Sequence, residues 1–303
     1  MRYLLTAIAL AAAIAVGACG DEGTAPADRP PVDVEDQLGF DQAGIIARQS
    51  RVETAIRDCM RAEGFEYVPV DPLAQRAAVL GASRLSDEEF LQQFGYGIST
   101  LWGRGRAEAD PNERLRLALG PADRRAYDRV LWGENAGATF TAAVDSGDFA
   151  SLGGCTRKAT EAVFGGAQVL TQLQGKLDAL EERILQDQRM VRAIESWSKC
   201  VAEAGYQYEE PEAIDSDLFG RMEKIVGTLP GQFATGPAAG EKPRPYNRAK
   251  LAALQQEEVA IARADHRCEL KHITPVEEKV TPQYSEDFRR QNQGLISRVK
   301  PAP

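Results

Sequence analysis

Histidine is nearly missing from this 303-residue chain, which holds only His266 and His272, both close to the C-terminus. A histidine-based triad therefore has few ways to assemble. No Gly-x-Ser-x-Gly elbow, His-Glu-x-x-His helix or phosphate-binding glycine loop offers a substitute. Positive charge is also short: 36 basic residues stand against 45 acidic ones, for a net charge of −9. Without a basic stripe to track phosphates, nucleic acid is not an expected partner, and neither is broad electrostatic adhesion to anionic lipid. Runs of five or more residues with a strand pattern are almost lacking, so the alternation of strands and helices that builds a cleft-type solute receptor is not to be expected.

Long hydrophobic runs are scarce too, and the one that exists lies at the N-terminus. Arg2 precedes an uncharged stretch from Leu4 to Val16, which ends in the small residues Gly17 and Ala18. That is the order of a secretory signal peptide, residues 1–18. It is shorter than the roughly 20 apolar residues of a spanning helix, and Asp21 and Glu22 follow closely. Val16-Gly17-Ala18-Cys19 resembles the lipobox of bacterial lipoproteins, in which the cysteine takes a diacylglycerol thioether and becomes the new N-terminus. Cys19 is therefore the expected lipidation site. The alternative is ordinary cleavage after Ala18, which would leave Cys19 an incidental thiol. Residues 19–40, rich in Pro, Asp, Ala and Gly, cannot bury enough surface to offset ordering and read as a tether. A flexible coil of that length spans on the order of 25 Å.

Four further cysteines remain: Cys59, Cys155, Cys200 and Cys268. An even count in an exported chain points to two disulfides, and three connectivities are open. An internal repeat favours one of them. Cys59 to Tyr67 and Cys200 to Tyr208 both read Cys, four residues, Gly, aromatic, one residue, Tyr, with Pro69 or Pro211 soon after. In each copy a cysteine-bearing helix is expected to end at a glycine in the left-handed conformation, with the aromatic folding back on the last turn. Each first cysteine is followed by one more, so two degenerate copies would pair Cys59 with Cys155 and Cys200 with Cys268. On the chain-entropy account, loops of this size contribute roughly 4 kcal/mol each.

The periodicity predicts a helix over 42–63, a capped helix from Ser86 through Phe94, and helices opened by Pro111 and Pro121, the second ending near Gly133. Leu170, Leu173, Leu177, Leu180, Ile184, Val191, Ile194 and Val201 form the clearest apolar seam, interrupted by Asp187 and Ser198. It makes one long helix, or two broken near 186–188, and is expected to pack within the chain rather than in a coiled coil. A Gly- and Pro-dense loop over 227–245 and helices near 246–270 and 285–299 complete the chain. The fold class is mostly α: two degenerate pseudo-repeat halves, 41–165 and 166–303, stapled by two disulfides, with few short extended segments.

Together the lipobox, the two cysteine-glycine-aromatic units, the stretch Gly120 to Tyr127, the Gly153-Gly154-Cys155 turn and the helix reaching Trp197-Ser198-Lys199-Cys200 resemble a group of exported lipoproteins of actinomycete bacteria. The resemblance covers most of the mature chain. It implies the address and the cysteine framework, and it implies no catalytic residue.

Four kinds of chemistry compete. His266, Cys268 and His272, beside Asp265, are metal-ligand types within seven residues, but on a helix the two histidines point apart and Cys268 belongs to a bridge. No metal or cofactor is expected. Paired carboxylates in Asp87-Glu88-Glu89 or Glu257-Glu258 could serve a hydrolase, though charge runs on helices are mostly solvated faces. Trp102, Trp132, Trp197, Tyr67 and Tyr208 are candidate walls of a small-ligand cleft. The remaining expectation leads: a lipid-anchored protein on the extracytoplasmic face of the bacterial membrane, with a non-enzymatic binding or scaffolding role. Its partners would be the membrane, through its lipid, and another envelope protein.

Overall fold

The computed structural model describes residues 42–71, 73–74, 80, 85–104, 111–135, 149–227, 229 and 244–299. Among them are ten α-helices and no strand: α1 Gln42–Ala62, α2 Asp87–Phe94, α3 Pro111–Ala118, α4 Pro121–Trp132, α5 Gly154–Phe164, α6 Ala167–Leu185, α7 Gln188–Glu203, α8 Glu212–Val226, α9 Arg248–His272 and α10 Thr274–Ile296. The mostly helical class read from the sequence is the class observed. No helix among the described residues is long and apolar enough to cross a membrane.

Each half is organised around a bridged helix pair. In the first, α1 packs along α5, and α4 packs on α5 as well. In the second, α7 packs on α9, with α8 and α10 against α9 and α6 against α10. The stripe Val52, Ile56 and Met60, at helical steps of four, is what α1 buries, each residue 3% exposed or less. The seam of α6 (Leu170, Leu173, Leu177, Leu180 and Ile184) is likewise buried in the chain's own core. The buried cluster runs without interruption from α1 through α6 to Phe288 of α10, so the halves share one core.

The apolar seam divides into two helices at the place its polar residue marks. Asp187 is the N-cap of α7: its carboxylate accepts from the Arg189 N–H at 2.8 Å and from the Arg189 side chain. The other polar residue in the seam, Ser198, donates its hydroxyl to the Tyr208 carbonyl at 2.6 Å and ties the extended segment to α7.

Two stretches differ from expectation. The last helix begins at Thr274 rather than near 285, with Pro275 in its first turn, where a missing N–H is harmless, and Pro282 in its interior. Residues 212–226, given no helix from the sequence, form α8, which buries Ile214, Leu218, Met222 and Val226 at steps of four.

Candidate functional site

The two repeat units fold alike. At the end of α1 the Phe65 N–H returns to the Met60 carbonyl at 2.9 Å and the Gly64 N–H to Arg61; at the end of α7 Tyr206 returns to Val201 at 3.1 Å and Gly205 to Ala202. Gly64 and Gly205 hold φ of +85° and +98°. This is the glycine-terminated helix end expected from the spacing. The bridges are Cys59–Cys155 and Cys200–Cys268, with Cα–Cα distances of 5.6 and 5.8 Å, as the repeat pairs them. In both, the repeat cysteine is half-buried and its partner buried.

The copies diverge three residues before each cysteine. The first has Ile56 and Leu152 there, both apolar and buried; the second has Trp197 and Asp265. The Trp197 indole N–H donates to Asp265 Oδ1 at 2.9 Å, and the Tyr96 hydroxyl donates to Asp265 Oδ2 at 2.6 Å. Two turns earlier on α9, Glu258 is fully buried. Its carboxylate accepts the backbone N–H groups of Ile98 (2.8 Å) and Ser99 (2.7 Å) and the Ser99 hydroxyl. Burial raises its pKa against the lowering effect of those donors and of the Thr100 N–H. Gln255 Nε2 donates to the Ser99 carbonyl at 2.8 Å and Arg263 to the Gln92 carbonyl at 2.6 Å. A side chain at Gly95 would stand 3.1 Å from Glu258, so the close approach of the loop needs glycine there. The buried carboxylates of α9 thus hold residues 95–100 by neutral donors, as a fastening rather than an exposed acid–base pair.

The other sequence candidates are placed as follows. Glu89 closes a capping box with Ser86, and those hydrogen bonds lower its pKa; Glu88 is exposed. Glu257 turns away from Glu258 to pair with Arg221 of α8, which also reaches Asp217 at 3.2 Å. Asp217 accepts from the Tyr208 hydroxyl at 3.0 Å, and burial, first, and this carboxylate, second, push that phenol up to about 12. Tyr67 donates to Glu53 at 2.9 Å in the first copy. Arg116 lies over the Trp132 ring, and Trp197 is part of the fastening. Tyr67, Tyr208, Trp132 and Trp197 thus each serve a separate contact. Trp102 packs, partly buried, on the core. His266 and His272 are half-buried, and Cys268 beside them is oxidised, which removes its thiolate as a metal ligand. No group of three His, Cys, Asp or Glu side chains among the described residues is arranged to hold a metal ion. Cys19 and the tether lie outside the described residues, as does most of the 227–245 loop.

Sequence reasoning missed the role of Glu258 and Asp265. Their seven-residue spacing on one helix face was available; their partners, 68 to 169 residues away in sequence, were not. No protein-family model, curated protein or solved structure matches the chain. Its function is therefore read from geometry.

Proposed function

We propose that this chain is an exported envelope protein, held at the extracytoplasmic face of the bacterial membrane by lipid on Cys19, with a helical body that binds or organises a partner without turnover. The observation that carries the reading is the pair of disulfides, one formed within each repeat half as the sequence pairs them. Such bridges form and persist in an oxidising compartment and are rare in one kept reduced. The apolar run before Cys19 supplies the export route to that compartment. The scaffolding reading is supported by how the candidate catalytic carboxylates are used: Glu89 caps a helix, Glu257 pairs with Arg221, and Glu258 fastens a loop.

A single acyl chain gives only marginal membrane binding, whereas two chains on one residue hold firmly. The diacylglycerol of a lipobox cysteine meets that requirement. The test is peptide mapping without reduction on protein taken from its native membrane, together with fractionation of Cys19→Ala. Diacylated Cys19, both bridges intact, and movement of Cys19→Ala from the membrane to the medium are expected. An unmodified N-terminus, or free thiols at the four body cysteines in native material, would overturn the reading. Crosslinking in intact cells then recovers the partner; reproducible turnover of a wall polymer by the soluble body would overturn the non-enzymatic part.

A further inference from the structure

The segment 85–104 stands apart from the rest of the fold. It has a small core of its own, in which Leu85, Phe94 and Leu101 pack with Leu80 and Phe90, separate from the main cluster. Arg104 lies over the Phe94 ring at 4.6 Å, a contact internal to the segment. Its dock is α9, through the polar fastening of Glu258, Asp265, Gln255 and Arg263; its apolar ties to the body are Ile98, a buried member of the main core, and Tyr96 and Trp102, packed partly buried against that core.

Its position relative to the bridges is unusual. In sequence it lies inside the loop closed by Cys59–Cys155, yet it packs on α9, which is bridged only to α7. The other described helices of that loop, α3 and α4, stay with the first pair. Neither disulfide joins residues 85–104 to α9. With both bridges intact, undocking is an excursion of a closed loop whose ends stay fixed, and it leaves the contacts of α1 with α5 and of α7 with α9 untouched.

We propose that residues 85–104 are a strap that opens from α9 and recloses as a unit while both bridged helix pairs stay folded, uncovering the face formed by Trp197, Glu258 and Asp265. Contiguous units with their own small core and few apolar ties to the body open at free energies below that of global unfolding. Glu258 is the latch. It holds backbone donors of two successive strap residues, and the glycines at 95 and 97, with φ of +62° and +81°, let the strap backbone reach it. The proposal stands whether or not Cys19 is lipidated.

The experiment is amide hydrogen exchange by mass spectrometry on the full chain with both disulfides intact. In the wild type, peptides spanning 95–104 are expected to exchange faster than those of α1, α5 and α7. Glu258→Gln puts an amide NH2 where one carboxylate oxygen faced a donor. It should raise exchange over 95–104 by about tenfold, the effect of losing one charge-assisted hydrogen bond, and leave α1, α5 and α7 unchanged. Ser99→Ala is the milder variant if Glu258→Gln does not fold; it removes only the hydroxyl donor and should show the same local pattern with a smaller rise. Two results overturn the strap: protection of 95–104 equal to that of α1 and α5 in the wild type, or a variant that raises exchange uniformly across the chain.

Discussion

Glu181, on α6, carries a carboxyl pushed up to about 7, first by burial and then by the neighbouring charges of Glu212, Asp178 and Glu277. Folded protein therefore holds a proton there that the unfolded chain releases above about 4.5. Between those values the native state binds more protons, so this group's contribution to stability is full below about 4.5 and is lost as pH rises through 7. Glu181→Gln cannot ionise. It is expected to be more stable than wild type at pH 8, with the difference closing toward pH 4.5, in urea titrations at the two pH values; a constant difference would show that the carboxyl ionises normally. Asp187 has the opposite sign. Its side-chain and backbone hydrogen bonds from Arg189 hold it well below the usual carboxylate range, so its stabilisation is present above pH 3.8 and is lost as pH falls further. Asp187→Asn is expected to show its largest destabilisation at neutral pH and a much smaller one at pH 2. Asp187 was legible in the sequence as a polar break in an apolar seam. Glu181 was not, because its neighbours Glu212 and Glu277 come from helices 31 and 96 residues further along the chain.

At the scale of elements, legibility followed local chemistry. Ser86 and Glu89 announced α2 because a capping box is complete within four residues, and Gly64 announced the end of α1 because a left-handed helix end is local too. α8 was given no element although Ile214, Leu218, Met222 and Val226 recur every fourth position; Asp215, Ser216 and Gly220 between them are weak helix formers that dilute the pattern. α10 was placed near 285 and begins at Thr274: Pro275 and Pro282 disfavour helix locally, and tertiary packing of Val280, Thr281, Ser285 and Phe288 carries the helix through. The junction of α4 with α5 yields an element-scale prediction. Gly154 opens α5 at φ +53°, and a Cβ there would lie 2.3 Å from the Val130 carbonyl oxygen, one residue before bridged Cys155. Gly154→Ala is expected to destabilise by about 3 kcal/mol, combining backbone strain with overpacking. Gly175, on the exposed face of α6, is the counterpart: a Cβ added there would meet nothing within 4 Å. Gly175→Ala should stabilise by about 0.5–1 kcal/mol through helix propensity. Thermal unfolding of the two variants checks both signs, and a stabilised Gly154→Ala would mean that the junction is looser than its contacts indicate.

For the whole molecule, two covalent pairs share one continuous core, and that combination fixes how it should unfold. Closing loops with sequence separations of 96 and 68 residues removes nearly equal chain entropy, worth about 4.7 and 4.4 kcal/mol. The bridges are then close to interchangeable in the unfolded state, and a larger difference between their removals must come from native packing. Cys155 and Cys268 are both buried against the same cluster, so no large difference is expected from that source either. Replacing Cys59 and Cys155 together by Ala, or Cys200 and Cys268 together, should lower stability by about 4 kcal/mol in each case. The shared core adds a second requirement. If the halves were independent, losing one bridge would melt its own half early and give two transitions. Because buried side chains run without a break from Val52 to Phe288, each double variant should unfold in a single shifted transition. Far-ultraviolet circular dichroism follows all the helices, and Trp197 fluorescence, in a Trp102→Phe, Trp132→Phe background, follows the second half together with the strap docked on it. Coincident curves from the two probes are expected in both variants. A fluorescence transition at lower urea than the dichroism transition when the Cys200–Cys268 bridge is removed would show instead that the second half folds as a separate unit, and that the shared core couples the halves only weakly.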